Sequence, residues 1–74
     1  MNKLRRKKLA EASALIAQAQ SIIEEVKDEE EEAYENLPES FQNGERGEQM
    51  QEYIDAMDEA YGQCDDLMSI IDEI

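Results

Sequence analysis

Apolar residues in this chain return at alternating intervals of three and four, and little but paired α-helices can satisfy that rhythm. From Leu9 the seam runs through Ala12, Ile16, Ala19, Ile23 and Val26, then Ala33 and Leu37, with Glu30 as its one violation. Leu15 and Ile22 flank it and widen the stripe. A second seam passes through Met50, Ile54, Met57, Tyr61, Cys64, Met68 and Ile71, with Tyr53, Ala60, Leu67 and Ile74 beside it at intervals of seven. Ala, Leu, Glu, Gln and Lys dominate the first stretch, so local propensity agrees with the pattern there.

The spacing predicts an all-α single domain over residues 1–74. Helix 1 runs from about 3 to 36, a loop from 37 to 46, and helix 2 from about 47 to 74. Pro38 cannot continue the first helix and disfavours helical geometry at Leu37. Asn36 is expected to cap the first helix, and Asn43 the second, with Glu45 and Glu48 near its positive end. Phe41 is expected to fold over the end of the helices, and Tyr34, just off the seam, to be exposed. A first helix of roughly 50 Å against a second of about 40 Å should let the basic tip project.

A stripe this wide exceeds what one neighbour covers, and in a two-helix antiparallel hairpin each helix has only one. Two chains closing into a four-helix bundle, a homodimer, is the simplest solution. At 74 residues a lone core would be marginal. The expected oligomer core comprises Leu15, Ile16, Ile22, Ile23, Val26, Ile54, Met57, Tyr61, Cys64, Leu67, Met68 and Ile71.

Charge separates along the chain. Lys3, Arg5, Arg6, Lys7 and Lys8 open it with five cations; the rest carries −18, the total of −13 less the +5 of the tip, with only Lys27 and Arg46 as cations. Such a body repels DNA and is drawn to basic protein surfaces. Its densest part is Glu24, Glu25, Asp28, Glu29, Glu30, Glu31, Glu32 and Glu35. This run encircles the helix and crowds like charges four apart. It reads either as a solvated segment near the loop or as a contact surface for a basic partner; the partner-binding set is Glu24, Glu25, Asp28, Glu29, Glu31, Glu32 and Glu35.

Catalytic chemistry finds little footing. There is no histidine, and Cys64 is the only cysteine and falls on the apolar seam, so neither a zinc set nor an activated nucleophile is expected. No metal site and no cofactor is expected. Residues 28–32 lack the alternating ligands and glycine of a calcium loop. Glu25-x-x-Asp28 and Glu52-x-x-Asp55 loosely resemble the carboxylate pairs of all-α NTP pyrophosphohydrolases, which leaves a magnesium-dependent hydrolase as a minor alternative. Arg46 is read either as pairing with Glu39, Glu45 or Glu48, or as an anion contact at a helix N-terminus. The basic start lacks the apolar stretch of a signal peptide, and no run suits a membrane span. A cytoplasmic protein of a bacterial host cell is the expectation, with no membrane partner.

The stretch Asp28-Glu29-Glu30 through Ala33, Asn36-Leu37-Pro38-Glu39-Ser40, and Gln42 to Glu45-Arg46-Gly47-Glu48 resembles short acidic hairpin proteins of bacteriophages and prophages. The resemblance covers most of the chain, with about twenty distinctive residues; Phe41 departs from the aliphatic residue expected there. It implies a mobile-element origin and no particular chemistry. By analogy with small acidic phage proteins, it points to an inhibitor or sequestering partner of a host or defence protein. The alternatives are an oligomeric sponge for a small anionic nucleotide near Arg46, and a virion structural or assembly protein.

Overall fold

The computed structural model describes residues 1–74. Helix α1 spans Lys3–Glu35, a single helical turn α2 spans Glu39–Gln42, and α3 spans Glu45–Asp72. The chain is all-helical, and α1 and α3 run antiparallel as a hairpin with Cα extents of 58 × 15 × 11 Å. The loop is therefore less open than its composition suggests, since α2 forms directly after Pro38. Helix α3 starts two residues before the expected position. Asn36 caps α1, but Asn43 closes α2 and does not open α3; the N-cap of α3 is Gly44, which offers no side-chain bond. At the other end the Asn2 side chain accepts from the Arg5 amide at 2.8 Å and starts α1.

The corner between α1 and α3 rests on two residues. The Gln42 side-chain amide lies within donating distance of the carbonyls of Tyr34, Glu35 and Leu37, at 3.1, 3.3 and 3.1 Å, and so ties the single turn α2 to the end of α1. Gly47 is buried against the Gln42 backbone, where a Cβ would lie on the carbonyl oxygen and within 2.6 Å of the carbonyl carbon. Only glycine permits that approach.

Helix α3 meets α1 through the expected seam, since Met50, Ile54, Met57, Tyr61, Cys64, Met68 and Ile71 are all buried or half-buried. Helix α1 is rolled partly off its expected seam: Leu9, Ala12, Ile16 and Ile23 of that seam are half-buried, together with Ser13, Gln20, Lys27, Glu30 and Tyr34, whereas Ala19, Val26 and Ala33 are exposed. Polar bonds explain the roll: Gln20 donates to the Tyr61 carbonyl at 3.1 Å and to Asp65 at 2.8 Å, and Lys27 reaches Asp58 at 3.0 Å. Alanines forgo little apolar burial in exchange. Tyr34 is half-buried on the inner face, contrary to expectation. Phe41 lies 53% exposed and covers nothing, because the close contact of Gly47 with Gln42 already fills the corner.

Ile54, 5% exposed, is the only buried apolar side chain. Two helices touching along one line enclose almost nothing, so the hairpin alone has a seam but no core.

Candidate interaction surfaces

Side chains separate to the two sides of the hairpin. On α1, Ala19, Ile22 and Val26 flank Ile23 on the side away from Gln20 and Lys27. Ile23 in turn lines an open groove with Ala60, Cys64, Leu67 and Ile70 of α3. Leu15 (64% exposed), Ile22 (61%), Leu67 (47%) and Ile70 (59%) therefore belong to one continuous apolar side. Of the expected oligomer core, Ile16, Ile23, Ile54, Met57, Tyr61, Cys64, Met68 and Ile71 pack between the chain's own helices. Leu15, Ile22, Val26 and Leu67 remain outside them. Ile70 joins this group unforeseen, although its place three residues after Leu67 continues the outer rhythm.

The opposite side is acidic. There Glu24 sits against Tyr61, and Asp58 and Asp65 receive Lys27 and Gln20. Glu31 and Glu35 line a shallow groove with Tyr34, Gln51 and Ile54. Both ion pairs of the chain involve Lys27, at 3.0 Å to Asp58 and 4.0 Å to Glu31. The hydrogen bond to Asp58 raises the Lys27 ammonium above its ordinary 10.5; the charges of Asp58, Glu31 and Asp28 add to this and partial desolvation opposes it. The Tyr61 phenol is raised above 10.0, chiefly by the Glu24 carboxylate, then by desolvation and by Asp65. Glu25, Asp28, Glu29 and Glu32 are exposed around the rest of α1.

Arg46 lines a hollow with Glu45, Glu48, Gln49 and Glu52. One cation among three carboxylates leaves a negative site, which works against an anionic ligand. Glu25, Asp28, Glu52 and Asp55 are all exposed, and no group of three or more Cys, Asp and Glu side chains is arranged to hold a metal ion. No helix is long and apolar enough to cross a membrane.

At the open end, Leu9 and Ala10 line a hollow with Ile71 and Ile74, and Arg6 reaches back beside Asp72. Residues 1–8 are all exposed, and none of their five cations makes an ion pair.

No family model, curated protein or solved structure matches this chain.

Proposed function

We propose that this chain is a non-enzymatic interaction protein: a hairpin that dimerises into a four-helix bundle through its apolar side and docks its acidic side on a basic surface of another protein. The observation that carries this reading is the separation of the two sides. Glu24, Asp28, Glu31 and Glu35 of α1 and Asp58 and Asp65 of α3 share one side, with Lys27 as their sole ion-pairing cation. A surface of that sign steers association with basic partners and is screened by salt. Together with the resemblance to phage hairpins, it supports an inhibitor or sequestering partner of a host or defence protein in the bacterial cytoplasm. The hollow around Arg46, negative overall, gives the nucleotide-sponge reading less support.

The test is capture from a bacterial lysate at low salt. The native chain should retain a protein that elevated salt releases. A variant with Glu24, Glu31 and Glu35 changed to Gln and Asp28 changed to Asn should lose it, while a Glu52→Gln, Glu59→Gln control keeps it. Capture of nothing, or capture indifferent to salt and to the substitutions, would end this reading.

A further inference from the structure

We infer that the apolar side is covered by a second copy of this chain turned end over end, so that Lys8 of one copy lies opposite Glu29 of the other. This rests on the dimer reading above and specifies its geometry.

Surface area argues for a second copy. The chain exposes 5741 Å², whereas a compact protein of 8.5 kDa exposes about 4,700 Å². The excess of two chains, about 2,000 Å², matches the roughly 1,600 Å² that a stable interface buries.

The stripe itself supplies a register. Along α1 the exposed positions Leu4, Lys8, Leu15, Ile22, Glu29 and Ala33 pair about a point between Gln18 and Ala19, which sets exposed Val26 opposite Glu11. Along α3 Tyr53, Ala60, Leu67 and Ile74, spaced by seven, centre between Gln63 and Cys64, with Ile70 beside them on the same side. The two centres lie side by side, because Gln20 bonds to Tyr61 and Asp65, which bracket the second. One two-fold axis through both centres sets α1 against α1 and α3 against α3, each pair antiparallel. Leu15 then meets Ile22, Ala60 meets Leu67, and Lys8 meets Glu29.

Charge selects this arrangement over the one with both loops at the same end. Helix α1 has no acid in its first turn and no base in its last. Its cations crowd the positive end of the helix dipole and its carboxylates the negative end, an unfavourable placement at both. The open half of each hairpin is neutral, since Glu11, Asp65, Asp66, Asp72 and Glu73 offset the five cations, and the loop half carries the whole −13; with loops together, both acidic halves would lie against each other. The ends are separated by most of 58 Å, far beyond the roughly 8 Å over which charges act in physiological salt. Turned end over end, each unpaired basic tip lies along the acidic segment of its neighbour.

Two measurements test this. In a Cys64→Ala chain, a nitroxide placed at Leu4→Cys reports the distance between copies by pulsed electron spin resonance. The inferred packing separates the two labels by about 40 Å, since Leu4 lies opposite Ala33. Loops together would bring them within roughly 20 Å, the span of adjacent helices. Separately, Lys8→Glu should weaken the dimer about ten-fold at low salt, and adding Glu29→Lys should restore it. A dimer with the short distance overturns the end-over-end packing and leaves the dimer reading standing. A dimer with the long distance but no response to the charge exchange overturns the Lys8–Glu29 register. A native chain that stays monomeric at every concentration overturns both the packing and the dimer.

Discussion

Gln42 and Gly47 hold the corner of the hairpin, and neither acts through a large side chain. Gly47→Ala puts a methyl group into the Gln42 carbonyl, and overpacking of this kind costs about 1–3 kcal/mol. Denaturant unfolding should register that loss even though alanine is the better helix former. Gln42→Ala should cost about 1 kcal/mol by removing the bonds that tie α2 to the end of α1. Lys27 and Tyr61 give the fold an alkaline limit. Both groups hold their protons more tightly folded than unfolded, so the associated stability is complete below pH 10.0 and is lost as pH rises through their folded values. Melting temperature should fall from about pH 10 upward, and Lys27→Gln with Tyr61→Phe should flatten that decline. Nothing in the sequence marked either corner residue: Gly47 stood at the expected start of the second helix, and Gln42 within the loop. A side chain that bonds to carbonyls five to eight residues upstream has no periodic signature.

At the scale of the element, the rhythm of threes and fours located both long helices and identified the inner face of α3 residue by residue. It located only part of the inner face of α1, finding Leu9, Ala12, Ile16 and Ile23, because apolar spacing cannot weigh the Gln20 and Lys27 bonds that roll the helix. The same roll is why Val26 and Ala19 end outside while Tyr34 turns in. Within α3, Gly62 is the counterpart of Gly47: nothing lies within 4 Å of a Cβ built there. Gly62→Ala should therefore stabilise the chain by about 0.5–1 kcal/mol, read as a rise in the denaturation midpoint. Helix α1 pays for its acidic run with repulsion between carboxylates four apart. Helicity measured by circular dichroism should rise with added salt, and changing Glu25 and Glu32 to Gln should reduce that dependence.

For the whole molecule, the single hairpin buries one apolar side chain, Ile54, which is why the proposed dimer should carry much of its stability. Solution mass across a range of concentrations should give twice 8.5 kDa, and melting temperature should climb with concentration, as mass action requires of a folded dimer. Leu15→Glu and Leu67→Glu together should yield monomer and lower the melting temperature, whereas Phe41→Glu, equally exposed but off the apolar side, should leave both unchanged. This level was only partly legible beforehand. The width of the stripes announced a need for more contact, but which residues stay uncovered depends on the roll of α1.

Sidedness also sets a valence. Once the apolar sides of two hairpins meet, their acidic sides point in opposite directions from a slab only two helix layers thick. Such an object has two equivalent docking faces, so one dimer can bridge two molecules of a basic target. Against a target that is itself oligomeric, bridging becomes cross-linking. Apparent affinity then exceeds that of one face wherever the spacing lets both engage, and the stoichiometry shifts from one hairpin per target toward an extended lattice.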